Sequence, residues 1–271
     1  MKIPAAWIVE SGFSRYNAPA GKNPTHREEP MKAAITYVHH SCFVLELGEK
    51  TFLFDYPEDA HLPEGAADAA ARAVSGKDLT VFISHGHDDH FGKNLADVVS
   101  PAARARFVVS DDVPDMFPDA VPEDALVVEP DETYRFAGMG IETLMANDLG
   151  VAFVIETGGV GVYFGGDLAE WIWPDMEAAA VRFTENYFQA AIDKVKASGV
   201  HIVFQNVDRR MENLGGGLKL LRQVCPPVFV PMHSFGDTAG YAGLDFDCDP
   251  RRTRIFLYRK PGDTMAFECG A

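Results

Sequence analysis

The stretch VFISHGHDDHFG, residues 81–92, constrains this chain more than any other. It places three of the nine histidines and two aspartates in six consecutive positions, directly behind an apolar run. A solvated loop would tolerate such residues, but rarely in this order at the mouth of a strand. Two further apolar runs end in the same kind of side chain: VGVYFGGD delivers Asp167 and VFVPMH delivers His233. Strand ends on one edge of a sheet converge in space, so residues remote in sequence meet there. Imidazole nitrogen and carboxylate oxygen suit zinc, iron or manganese, and an open coordination position makes the ion catalytic. A His-x-His step lets His85 and His87 point the same way, while Asp89 and His90 turn toward a second ion.

The rest of the chain reads as a scaffold for that edge. Strand-like runs at 35–47 and 51–56 flank Gly48-Glu49-Lys50, a hairpin signature. An Ala-rich helix over 64–74 precedes the strand that carries the histidines. Short β-rich runs follow at 106–110, 125–129, 132–136, 140–146, 150–157 and 160–166. A helix from Pro174 to about Ser198, with Gly199 past its end, leads into HIVFQN, then LGGGLKLLRQV, VFVPMH and a tail strand TRIFLYR. Many short strands with interspersed helices predict an α/β fold, an αββα sandwich of two mixed sheets with helices on the outer faces. Residues 1–30, rich in Pro, Asn, Gly and charge toward their end, read as an N-terminal extension to a single domain over 31–271.

Composition narrows the function classes. The formal charge of −16 repels polyanions, which argues against a nucleic-acid partner. No segment approaches the run of about 18 apolar residues that a membrane helix needs, and no signal-peptide pattern opens the chain. The expectation is a cytoplasmic protein acting on a small molecule, without a nucleic-acid or membrane partner. Four cysteines with no CxxC pair read as reduced thiols, ahead of a Cys248–Cys269 bridge.

HGHDDH resembles the HxHxDH signature of the metallo-β-lactamase-fold superfamily. GGD at Asp167 and PMH at His233 fall in the order and strand context of that superfamily's later metal motifs. LFDYP, HHSCF and DLAEWIW look like its lactonase-like and uncharacterised hydrolase branches. The resemblance covers most of 31–271 and implies a metal-dependent hydrolase with two metals, bridged by an aspartate and a water. By that resemblance His85 and His87 serve the first metal, Asp89, His90 and His233 the second, and Asp167 bridges. The ions would be zinc, with manganese or iron as alternatives. The chemistry implied is attack by metal-activated water, its pKa lowered from about 15.7 toward 7, on a small ester, lactone, amide or phosphoester. Asp89 would orient the nucleophile. A two-iron redox enzyme of the same fold, or a non-catalytic metal-binding module, are the alternatives.

One element of the family pattern is missing. No histidine lies between His90 and His201, where another ligand of the first metal is expected. Asn147 and Asp148 stand there instead, with Asp148 able to substitute as a carboxylate and Asn147 as a weak amide ligand. The first metal should therefore bind more weakly than the second. His201 begins its strand rather than ending it, so it belongs at the far edge. His40 in HHSCF is a candidate for lining the pocket or assisting catalysis, or for a structural hydrogen bond. His26 and His61 read as solvated. Asp55 is a candidate hydrogen-bond support for a ligand histidine. Trp171 and Trp173 could wall the pocket or pack the following helix, and Asp208 and Arg209 could reach it.

Overall fold

Period-two alternation sorts the first strands into two faces. In β2 (Cys42–Leu47), Phe43, Leu45 and Leu47 enter one core, while Cys42 and Val44 enter another. In β3 (Lys50–Phe54), Phe52 and Phe54 take the first side and Leu53 the second. β4 (Asp78–Ile83) follows suit, with Phe82 against Leu79, Val81 and Ile83. The second face is covered by α1 (Ala66–Val74), α2 (Leu95–Val99) and α3 (Asp112–Met116), which contribute Ala66, Ala70, Leu95 and Val113. The first face meets a second sheet.

The computed structural model describes residues 30–269. Its first sheet adds β1 (Met31–His39), β5 (Arg104–Ser110), β6 (Leu126–Val128) and β14 (Thr264–Cys269), in the order β14-β1-β2-β3-β4-β5-β6. The second contains β7 (Thr133–Phe136), β8 (Met139–Met145), β9 (Val151–Thr157), β10 (Val160–Phe164), β11 (Ile202–Asn206), β12 (Val228–Met232) and β13 (Arg254–Ile255), ordered β13-β12-β11-β10-β9-β8-β7. Both sheets are mixed. The outer face of the second carries α4 (Ala178–Ala197) and α5 (Gly217–Val224), which bury Phe188, Ile192, Leu220 and Leu221. This is the expected αββα sandwich.

An aromatic seam joins the sheets just beneath the predicted site. The rings of Phe54 and Phe164 stack at 4.7 Å and 10°. Phe82 meets Phe153 at 5.2 Å and Phe43 meets Phe204 at 5.3 Å. All six of Phe43, Phe54, Phe82, Phe153, Phe164 and Phe204 are fully buried. Burying each contributes up to about 3 kcal/mol, and the ring geometry adds direction to that force. Phe54 immediately precedes Asp55, Phe82 stands three residues before His85 and Phe164 three before Asp167. The seam therefore fixes the strand ends that carry the chemistry.

Several local expectations needed correction. The run 35–47 is two strands, broken at His40-Ser41, where His40 adopts φ 53°. The helix expected from Pro174 begins at Ala178, after a short turn. The tail strand TRIFLYR reduces to Arg254–Ile255, and β14, not foreseen, closes the first sheet against β1. Cys248 and Cys269, by contrast, are free thiols, as the reduced reading expected. His26, like the extension proposed over 1–30 almost throughout, lies outside the described residues. No helix among those described is long and apolar enough to cross a membrane.

Candidate metal centre

Strand direction explains why the predicted residues meet. β3 and β4 run parallel, as do β10, β11 and β12, so their C-terminal ends lie on common edges. β1 is antiparallel to β2, and β2 to β3, so β1 also ends there. β9 is antiparallel to β10 and therefore begins there. The edge receives His40 from β1, Asp55 from β3, His85 to His90 from β4, Asp167 from β10, Asp208 from β11 and His233 from β12. Binding at the carboxyl ends of strands is the general habit of such sheets. His201, at the opposite end, accepts Gly161 N–H at 3.0 Å and stays away from the cluster.

Three of the histidines share one arrangement. His90 Nδ1 donates to Asp55 Oδ2 at 2.7 Å. His233 Nδ1 donates to Asp208 Oδ2 at 3.0 Å. His85 Nδ1 lies 2.9 Å from Ser84 Oγ, whose own hydrogen goes to Asp55 Oδ2 at 2.8 Å. An ionised carboxylate only accepts, so Ser84 donates to Asp55 and accepts from His85. In each ring Nδ1 is thereby held as a donor and Nε2 faces inward, where its lone pair becomes available to a cation once Nε2 is deprotonated. A metal-binding histidine ordinarily has this outer partner. Asp55 supports His90 as expected, and serves Ser84 N–H at 2.7 Å as well.

Asp167 lies between those inward nitrogens. Its Oδ1 is 3.4 Å from both His90 Nε2 and His233 Nε2, whereas Oδ2 is 3.7 Å from His85 Nε2. Two sets of donors result, each with its ligand atoms within 4.8 Å of one another: His85, His87 and Asp167, and His40, Asp89, His90 and His233. Electrostatics tells the same story. Burial opposes charge on His90, but Asp167, Asp55 and Asp89 outweigh it and push its pKa up to about 10. Burial likewise opposes charge on His233, and Asp167 and Asp208 raise it. Burial would raise Asp167, yet His90, His233 and His85 hold it well below the usual carboxylate range. The interior draws in positive charge.

The donor set fits a divalent cation. Nε2 of His85 and of His90, like that of His40, is buried and has no hydrogen-bond partner. An unsatisfied buried polar atom costs about 1–3 kcal/mol. A cation between the first two nitrogens and Asp167 removes that cost for them and matches the charge.

His40 differs from the other three. Its Nδ1 accepts the backbone N–H of Phe235 at 3.1 Å, so neutral His40 carries its proton on Nε2, 3.3 Å from Asp89 Oδ2. Burial, then His233, push its pKa down to about 3, which keeps the ring neutral. It is placed to donate rather than to ligate. Four non-glycine residues here, His40, Asp55, His233 and Phe235, have φ between 41° and 67°. Such left-handed backbone costs of order 1–3 kcal/mol each and gathers at functional sites.

The remaining predicted residues fall at the rim. Asp148 is exposed, with Oδ2 3.7 Å from His87 Nδ1, beside the first set rather than within it. Asn147 is not available as a ligand, because its amide donates to Ala169 O at 2.9 Å and accepts Ala169 N–H at 3.2 Å. Trp171 is half-buried and donates to Asp167 O at 2.9 Å, while Trp173 is exposed. Arg209 pairs with Asp237, and it is the neighbouring Arg210 that grips Asp208. His61, read as solvated, is half-buried, 3.3 Å from Asp88 in the histidine loop.

Sequence reasoning missed two supports. Asp112 Oδ2, from α3, accepts Gly86 N–H at 2.7 Å and pins the loop. Val151 N–H donates to Ser84 O at 2.9 Å, bringing the start of β9 against the same loop. That approach requires glycine at 150: φ is +65°, and a Cβ there would lie 2.1 Å from Ser84 O. Gly150 in LGVAF was a visible signal. Asp112 left none, since only the fold brings it near.

A two-sheet αββα sandwich with a cluster of His and Asp donors at one strand edge defines the class. The chain belongs to the beta-lactamase superfamily, whose domain model matches residues 34–182. It is similar in structure to YhfI of Bacillus subtilis, a metallo-beta-lactamase fold protein (TM-score 0.57, 12% identity, 89% of this chain and 100% of that one). A metallo hydrolase of the archaeon Ignicoccus hospitalis gives a TM-score of 0.53 at 17% identity, over 88% of this chain and 100% of that one. No curated protein matches the sequence. At these identities the structural likeness speaks for the fold, and metal-dependent hydrolases are prominent within it.

Proposed function

We propose that this chain is a metal-dependent hydrolase of a small ester, lactone, amide or phosphoester. The observation that carries the reading is the division of Asp167 between two groups of inward-facing histidine nitrogens. His85, His87 and Asp167, with Asp148 closing the set from the rim, would hold one ion. Asp89, His90, His233 and the other oxygen of Asp167 would hold a second, more tightly. Zinc suits these donors best, and manganese or iron would also be accepted. Bound ions would acidify water at neutral pH and polarise the scissile carbonyl or phosphoryl group.

The chain's own residues do the rest. Asp55, Ser84 and Asp208 keep the ligand imidazoles in one tautomer and one orientation. Asp89 orients the attacking water, its Oδ2 lying 3.3 Å from His40 Nε2. His40 Nε2–H is the donor available to oxygen that gains negative charge during the reaction, an interaction that costs no reorganisation because Phe235 N–H already fixes the ring. Elemental analysis, paired with p-nitrophenyl acetate, γ-butyrolactone and bis(p-nitrophenyl) phosphate, tests the reading. Turnover that is lost on chelation and restored by zinc supports it. A zinc-loaded protein that turns over none of the three counts against it.

A further inference from the structure

Beside the metal centre lies a closed chain of flat groups that starts and ends on His233. Its ring is 5.3 Å from Trp171, and Trp171 lies parallel to Trp173 at 6.2 Å and 3°. The Arg210 guanidinium sits 5.4 Å from Trp173 and 4.2 Å from Phe235, and Phe235 returns to His233 at 4.9 Å. Core aromatics in this protein are fully buried, but Trp173 is 41% and Phe235 46% exposed. Nothing among the described residues covers them. We propose that this collar recognises the substrate, and that it selects a single aromatic ring bearing an anionic oxygen group such as a carboxylate, sulfonate or phosphate. The proposal rests on the hydrolase reading above and names the substrate class of that site.

An exposed aromatic collar ordinarily attracts a cation. Here that place is taken by the chain's own Arg210, lying over both rings. Arg210 is held by Asp208, which accepts from its backbone N at 2.8 Å, from Nε at 3.0 Å and from Nη2 at 2.6 Å. Nη1 has no hydrogen-bond partner among the described residues, and a guanidinium nitrogen can only donate. The collar therefore offers aromatic faces and a fixed cationic donor together, which is the complement of an aromatic anion. Asp208 belongs equally to His233, so the anchor keeps a set distance from the metal centre.

Size sets the class more narrowly. On the Arg210–Phe235 side of the collar an open cleft of about 230 Å³ reaches His233, with Asp208 and Asp237 in its wall and Trp171 and Trp173 outside it. A cavity of about 150 Å³ accepts benzene, whereas drug-sized ligands occupy about 300–1,000 Å³. One ring fits.

The test is calorimetric titration of the zinc-loaded full chain with benzenesulfonate, benzyl alcohol and methanesulfonate, sulfonates being weak metal ligands. Benzenesulfonate should bind at least tenfold more tightly than either partial probe. Trp173→Ala and Phe235→Ala should each weaken benzenesulfonate about tenfold and leave methanesulfonate unchanged. Arg210→Gln should abolish the preference for benzenesulfonate over benzyl alcohol. If that variant loses zinc, the wild-type preference and the two aromatic variants decide the matter. Equal binding of benzyl alcohol and benzenesulfonate by the wild type overturns the proposal, as does indifference to both aromatic substitutions. Turnover without this preference would leave the hydrolase reading standing and remove the collar. Binding without turnover on any ester would do the reverse.

Discussion

His40 accepts the Phe235 backbone N–H on Nδ1 at 3.1 Å, and that bond separates it from the other inward-facing histidines. His85, His90 and His233 each direct Nδ1 at an acceptor and turn Nε2 inward as the nitrogen that can meet a cation. His40 does the opposite. Replacing it with alanine should therefore leave metal content unchanged while lowering turnover about 10²–10³-fold, the usual cost of one preorganised donor. Zinc measured by elemental analysis alongside kcat checks this. A variant that loses an ion would make His40 a ligand instead.

Asp55 is completely buried and holds both His90 and Ser84. Asp55→Asn keeps the shape but replaces one acceptor oxygen with a donor nitrogen. Zinc affinity should fall about 10–100-fold, the usual effect of removing a ligand's outer partner. Competition with a chromogenic chelator measures it.

Metal affinity should rise with pH. In the metal-free protein Asp167, Asp55 and Asp89, against the opposing effect of burial, keep a proton on His90 up to a pKa of about 10. A cation must displace that proton. Below pH 10 the apparent affinity should therefore gain about tenfold per pH unit for each proton released. Titrations between pH 6 and 8 should show proton release; binding independent of pH would contradict the assignment of His90.

Gly150→Ala places a methyl group 2.1 Å from Ser84 O at a φ of +65°. Either β9 or the histidine loop must move. The expected loss is roughly 3 kcal/mol, or a fall in Tm of about 6–12 °C for a domain of this size. Scanning calorimetry and metal content should decline together, because the strained contact and the ligand loop are the same segment.

Much of this centre could be read before folding. His85, His87, Asp89, His90, Asp167 and His233 were visible because strand and ligand are contiguous in sequence, so each motif carries its own context. Asp55 was visible for the same reason. Arg210, Phe235 and Asp112 were not, because their significance lies in what other strands bring beside them. Arg209 and Arg210 are indistinguishable as sequence, and only the exit of β11 decides that Arg210 reaches Asp208. β14 was missed because a short strand after a Pro-Gly turn has no pattern of its own, and gains its place by pairing with β1. The run 35–47 hid a turn because His40 adopts a backbone conformation that sequence does not ask of histidine.

Metal stoichiometry tests the central claim most directly. If Asp167 divides its oxygens between two ions, the zinc-loaded wild type should hold two, the ion beside His90 and His233 more tightly. Asp148→Ala should lower the count toward one, and Asp167→Ala should deplete both sites together. An Asp167→Ala protein that still retains two tightly bound ions would contradict the account.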